Sequence, residues 1–409
     1  MRPILFFLGT LAFAQDYDLI LRGGRVIDPK NNLDAVRDVA VKSSKIAAIA
    51  PSITAPARRT VDVKGLLVTP GLIDIHAHVF VGTTHNTTAG GDRAIPPDQI
   101  GPRTGVTTLV DAGSSGWRMF PDFRRTIIDH AQTRVLAFLN IAGIGILAYE
   151  LEQNPEDMDP QLTADMIRKN RDVLVGVKSA HWHPANFISV ERAVQAGKLA
   201  NVPVMVDFGY FLPDRPYETM ITDKLRPGDI STHFYRWPAP LLDANGKVRS
   251  YLHDARRRGV KFDAGHGGGS FHFRLAEPMM QQGFWPDSIS TDIHLNSMNG
   301  SMIDMLNVMS KFMAMGLPLD ETIRRSTINP ALEIQHPELG HLTIGAEADI
   351  AVLRLDKGNY GFADCAGGTI KGSERLACEM TVRAGKIVFD LNSRAGAPWR
   401  TAPLRYPEK

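Results

Sequence analysis

Over the first seventy positions the apolar side chains come in short runs, YDLILRGGRVID, VAVKSSKIAAIA and RTVDVKGLLVTP, parted by Gly, Asn and Pro. Val, Ile and Leu in runs of this length between turn residues predict short antiparallel strands. The same texture returns near the other end, in LTIGAEADIAVLRL and TVRAGKIVFD. Chain ends tend to lie near one another, so residues 15–68 and 336–392 are expected to form one discontinuous β-sandwich. Between them, over residues 69–335, eight apolar runs alternate with helical stretches: GLIDIHAH, VTTLVDAG, RVLAFLNI, VLVGVKSA, VPVMVDFG, DISTHFY, VKFDAGHGG and SISTDIH. That alternation marks a parallel sheet. Eight units in a span of this size predict an α/β fold of the closed (β/α)8 or TIM-barrel type. An open doubly wound sheet competes, but no Gly-x-Gly-x-x-Gly follows the first run. ISVERAVQAGKLA and GSMIDMLNVMSKFMAMG read as helices, and the methionines of the second fall at a spacing that suits core packing better than a cofactor.

Composition narrows the class. With 409 residues, 44% hydrophobic and 22% charged, the chain is of ordinary globular make-up and large enough for a sizeable core. A formal net charge of +2 without a basic run leaves no nucleic-acid footprint. Residues 1–14, MRPILFFLGTLAFA, combine Arg2, an apolar run too short to span a bilayer and an Ala-x-Ala ending. This is the layout of a signal peptide, so export to the periplasm or the medium is expected, with a buried strand or a short anchor as the alternatives. No later segment approaches the roughly 18 apolar residues of a spanning helix. The two cysteines, Cys365 and Cys378, exclude a disulfide framework and a cysteine-based zinc site; in an exported protein they either pair or stay free. Residues 393–409 are expected to lie extended on the surface.

The candidate chemistry starts at the first run of the central region. Residues i and i+2 of a strand face the same way, so His76 and His78 project together, and neutral imidazole is the commonest metal ligand. In a barrel the working groups stand at the C-terminal ends of the strands. There the chain offers Lys178, Asp207, His233, His266 and Asp292, at intervals of 29, 26, 33 and 26 residues. Each interval is about one βα repeat of ~30 residues, which places these groups in one ring at the mouth. Singly, an Asp caps a helix and a His satisfies a hydrogen bond; together they point to a metal site. Lys178 is the odd member, because an ammonium cannot ligate a cation. Either it forms a salt bridge with Asp207 or Asp292, or burial neutralises it and carbon dioxide converts it to an anionic carbamate.

These motifs resemble the amidohydrolase superfamily of metal-dependent hydrolases, in particular its dihydroorotase and deacetylase-like branch. The likeness is carried by TPGLIDIHAHVF, GVTTLVDAGSSG, VGVKSA, DISTHFY, FDAGHGGGSF, SISTDIH, STINPALEI and GHLTIGAEADIAVL. The resemblance implies two divalent metal ions, usually zinc: one held by His76, His78 and Asp292, the other by His233 and the fifth-strand residue, with carboxylated Lys178 bridging them. Here the fifth strand supplies Asp207 where most relatives have His. A carboxylate still suits zinc, although it weakens the outer ion as a Lewis acid, favours harder metals and leaves a single-ion site open. The implied reaction is attack of a metal-bound hydroxide on an amide or ester of a small molecule, with Asp292 moving the proton. Deacetylation leads; a cyclic amide hydrolase of the dihydroorotase or hydantoinase kind is the alternative, and a non-catalytic binding barrel the third. His266, among glycines, is assigned to substrate binding or oxyanion stabilisation, with loop ordering as its competitor. A small molecule is the expected partner, neither nucleic acid nor membrane is, and a homo-oligomer is compatible with the chain.

Overall fold

The computed structural model describes residues 17–81, 94–146 and 150–402. The expected signal peptide lies outside the described residues, as does the end of the tail. Among the described residues fifteen strands fall into two sheets. The first gathers both ends of the chain: β1 (Tyr17–Asp28), β2 (Leu33–Lys42), β3 (Lys45–Ala50), β4 (Ala57–Asp62) and β5 (Leu67–Pro70) join β13 (Ile350–Ala363), β14 (Thr369–Arg383) and β15 (Lys386–Asp390) in the order β15-β14-β13-β5-β1-β2-β3, with β4 beside β1. The seam is the antiparallel pairing of β13 with β5, from Ile350 opposite Pro70 to Leu353 opposite Leu67. One apolar core unites the two ends, packing Leu19, Val39, Val61 and Val68 with Ile350, Val352, Met380 and Val382.

The second sheet is parallel and curled. Its seven strands are β6 (Leu72–Ala77), β7 (Val106–Gly116), β8 (Arg134–Asn140), β9 (Leu174–Ser179), β10 (Val204–Val206), β11 (Ile230–Ser231) and β12 (Lys261–Phe262), in sequence order. The eighth run bridges the two edges: Ser288 pairs with Asp263 and Ile293 with Ala77, both in parallel sense. Asp292 N donates to His76 O at 2.7 Å and Gly267 N to Thr291 O at 2.8 Å. Asp74 fastens the same junction, accepting from Thr291 Oγ1 at 2.5 Å and Thr291 N at 3.1 Å. Burial pushes its carboxyl up to about 7.

Inside the curl, Ile73, Ile75, Val110, Ala112, Leu136, Phe138, Val175, Met205 and Ile230 form one core, closed from below by Ala331, Ile334 and Leu339 around the helix Ile328–Glu333. The opposite faces of the strands pack on a helical layer that includes Ile188–Ala200 and Met305–Ala314, the two predicted helices. Met305 and Met309 are buried in that layer. The hairpin β13–β14 reaches past its own sheet. At its tip Cys365 N donates to Phe271 O at 3.0 Å, and Asp364 Oδ2 accepts from Phe273 N at 2.9 Å. Cys365 and Cys378 are both free thiols. Residues 393–402 lie exposed in turns, held to the sheet by Arg394 Nε on Glu379 Oε1 at 2.7 Å. No helix among the described residues is long and apolar enough to cross a membrane.

Candidate active site

A cavity of about 430 Å³ opens at the C-terminal ends of the parallel strands. Its walls include His76, His78, Lys178, Asp207, His233 and Asp292, six of the seven side chains singled out from the sequence. The first two reach it through an irregularity in β6, where the register against β7 slips between Asp74 and Ala77. A slip of one residue turns a strand's side chains to the other face. Ile73 and Ile75 therefore point into the interior core, and His76 and His78 above them line the cavity. Asp292 and His233 owe their positions to left-handed backbone, with φ of 51° and 55°; His181, which follows Lys178, has φ of 54°. Non-glycine residues in this region cost energy and cluster at working sites.

The inner group is the tightest. Ligand-type atoms of His76, His78 and Asp292 all lie within 4.8 Å of one another. Asp292 Oδ1 stands 3.0 Å from His78 Nε2 and 3.5 Å from His76 Nε2. Two ligands on one tetrahedral zinc, each ~2 Å from it, are ~3.3 Å apart, so the spacing and the N,N,O donor set fit a divalent cation. Each imidazole is anchored from behind, His76 Nδ1 by Thr232 Oγ1 at 2.8 Å and His78 Nδ1 by Ser114 Oγ at 2.9 Å. Such bonds orient metal-ligating rings. His233 Nδ1 donates to Gly265 O at 2.6 Å, and its Nε2 is directed toward Asp207 and Asp292.

The outer group centres on Asp207. Its Oδ2 is 3.6 Å from His233 Nε2 and 3.5 Å from His181 Nε2, and its Oδ1 is 3.4 Å from Arg236 Nη1. Burial opposes ionisation of Asp207, but His233, His181 and Arg236 outweigh it and hold the carboxyl far below its usual range. Asp292 behaves alike: burial raises it, while His76, His78 and His233 bring it well below the ordinary value. His181 is raised, because Glu152 at 3.0 Å and Asp207 overcome its burial.

Lys178 makes no ion pair among the described residues, so the salt bridges weighed for it with Asp207 and Asp292 do not form. Its Nζ lies 3.1 Å from His76 Nε2 and 3.6 Å from Met205 Sδ. Burial lowers its pKa despite the carboxylates nearby.

His266 departs from the expectation of substrate binding: it is buried outside the cavity wall. Gly265 and Gly267 turn the chain with φ of 46° and 55°. The ring thereby lies behind the loop, stacked on Phe271 with centroids 4.5 Å apart. Its Nδ1 donates to Gly267 O at 2.9 Å, and its Nε2 accepts from Lys311 Nζ at 2.8 Å. Burial and Lys311 push it down to about 3. The competing role, ordering the loop, matches this geometry. The backbone of that loop, at Gly268, Gly269 and Ser270, does line the cavity.

His181, Arg236, His294 and Asn296 also line it and were not assigned from the sequence. His294 stands two residues beyond Asp292, the spacing that marked His76 and His78, with Nε2 3.9 Å from Asp292 Oδ2.

The sequence and fold were compared with known proteins. A model of the amidohydrolase family matches residues 270–388. A deacetylase of Brucella anthropi is 35% identical over 343 residues, 79% of this chain and 80% of that protein. Among solved structures, an adenine deaminase superposes with a TM-score of 0.83 at 29% identity, covering 92% of this chain and all of that one. A dihydroorotase gives 0.79 at 28% identity, over 91% and 99% of the respective chains.

Proposed function

The chain belongs to the amidohydrolase family, and from that premise we propose that it is a metal-dependent, deacetylase-like hydrolase of small molecules. The bond cleaved is a carbon–nitrogen bond other than a peptide bond; a related ester is the near variant. The observation that carries the reading is the convergence of His76, His78 and Asp292 within 4.8 Å in a cavity on strand ends. The curled sheet with its bridging eighth run is read as a (β/α)8 barrel, and the sheet built from both chain ends as its flanking β-sandwich.

In this reading His76, His78 and Asp292 would hold the inner cation, and Asp207 and His233 the outer. Lys178, as a carbamate formed when its neutral amine adds to carbon dioxide and releases a proton, would supply further anionic oxygens to the cations. A buried amine of lowered pKa, in no ion pair among the described residues, supports that step. Bound cations would supply Lewis acidity, which lowers the pKa of a water and polarises an acyl oxygen. The chain's own residues do the rest. Asp292 Oδ1 faces His78, which leaves Oδ2, 3.9 Å from both His233 and His294, to take a proton from the attacking water and return it to the leaving nitrogen. Arg236 and the backbone of Gly268 and Gly269 border the space left for the substrate. Residues 1–14 support export of the chain, as a signal peptide.

The likeness to a dihydroorotase over nearly the whole chain favours ring opening of a cyclic amide as second reading. Turnover of a panel of N-acetyl, O-acetyl and cyclic amide compounds, with metal content measured in parallel, separates the two. Hydrolysis that is lost in Asp292→Asn with metal retained supports the proposal; bound metal with no turnover of any panel member refutes it.

A further inference from the structure

Below the cavity, five buried side chains from five separate segments form an unbroken line of hydrogen bonds. It runs from His76 on β6 to Thr232 after β11 at 2.8 Å, to Asp263 after β12 at 2.7 Å, to Ser288 of the eighth run at 2.8 Å, and to Glu333 on the helix that closes the sheet from below at 2.9 Å. Proton counting gives the line a direction. A hydroxyl has one hydrogen. Asp263 collects those of Thr232, Ser288 and Ser290, the last at 2.7 Å, as an ionised acceptor does. With its own hydrogen committed to Asp263, Ser288 Oγ accepts from Glu333, so Glu333 is a protonated acid. Burial, with Asp287 and Asp263 nearby, raises its pKa well above the ordinary value accordingly. At the other end Thr232 Oγ1, having given its hydrogen to Asp263, accepts from His76 Nδ1–H. The Nε2 lone pair of His76 then faces the cavity.

We propose that Glu333 is a positioning residue for the metal site, setting the orientation and tautomer of His76 through Ser288, Asp263 and Thr232. The proposal rests on His76 being a cation ligand, the reading given above. It assigns a role to the STINPALEI segment, whose helix Ile328–Glu333 otherwise only fills the interior. A buried acid whose Oε1 has no hydrogen-bond partner among the described residues is costly as mere filling.

The test is a zinc titration of the full chain stripped of metal, in wild type, Thr232→Val, Glu333→Leu, Glu333→Gln and the Thr232→Val/Glu333→Leu double variant. Loss of an outer-shell partner costs metal affinity about tenfold, so Thr232→Val, close to isosteric, should weaken zinc by that factor. Glu333→Leu, acting at a remove, should weaken it about threefold. Gln in place of Glu333 keeps an N–H for Ser288 and should bind within about twofold of wild type. Because the effect travels along the line, the double variant should bind no more weakly than Thr232→Val alone. Wild-type affinity in Glu333→Leu, equal losses in Gln and Leu, or additive losses in the double variant would overturn the proposal. If His76→Ala leaves zinc affinity unchanged, the ligand assignment is what fails. The 15N signals of the His76 ring in zinc-free protein still decide the positioning: Nδ1–H in wild type and a mixed tautomer in Glu333→Leu support it, and the same tautomer in both sinks it.

Discussion

Along β6 and just past its end the side chains change from Ile73 and Ile75 to His76 and His78, and the change repeats around the sheet. Leu136 and Phe138 lie below Asn140, Met205 below Asp207, and Ile230 below Thr232 and His233. The floor is apolar, follows strand alternation and needs only volume and shape. The mouth is polar and buried, and it is reached through a register slip in β6 and left-handed backbone at His181, His233 and Asp292. One set of strands thus carries two layers under different constraints. Substitutions in the floor should act on stability, those in the mouth on chemistry.

The largest effect expected is in the mouth. Asp292→Asn removes the proposed proton acceptor and should lower kcat/KM about a thousandfold, while the thermal midpoint, read by calorimetry, stays near that of wild type. The converse test is Phe138→Ala. Phe138 is fully buried against Gly176, where an added Cβ would lie 2.5 Å from its ring. The cavity left should cost about 3–5 kcal/mol in denaturant unfolding, with turnover per folded molecule unchanged. A loss of turnover in Phe138→Ala matching that in Asp292→Asn would erase the division between the layers.

Gly267→Ala sharpens it at the boundary. A methyl group there would sit 2.4 Å from Asp292 Oδ2, on backbone with φ of 55°. Displacement of the carboxylate should cost about tenfold in kcat, with KM nearly constant. The smallest effect concerns Lys311, buried behind the same loop with its pKa lowered to about 8 by burial. Between about pH 8 and the ordinary lysine value the unfolded chain binds a proton that the folded one does not, so stability rises with pH over that window. Lys311→Met should abolish that part of the rise in urea midpoints measured across it.

The floor was legible because alternation and β-branched residues report burial directly. All eight runs lie where the sequence puts them, though the later ones are short: β11 and β12 have two residues each, and the eighth makes single bridges. In the mouth, the regular intervals between Lys178, Asp207, His233 and Asp292 sufficed to bring them to one cavity. They failed for His266, because the flanking glycines send its ring behind the loop, a turn that spacing does not encode. His181 and Arg236 were not legible as partners of Asp207, since each lies past a strand end on chain whose direction depends on local dihedrals. Thr232 and Asp263 were missed for another reason: a hydroxyl or carboxylate that braces a histidine from behind has no spacing signature at all.

The hairpin tip adds an order of events. Cys365 Sγ touches Gly267 O at 3.5 Å, and Asp364 caps the helix that follows the same loop. The loop beside Asp292 thus leans on residues near the end of the chain. During synthesis the cavity side chains emerge from the ribosome well before that support exists, so a nascent chain should acquire activity only once β13 and β14 have followed them out.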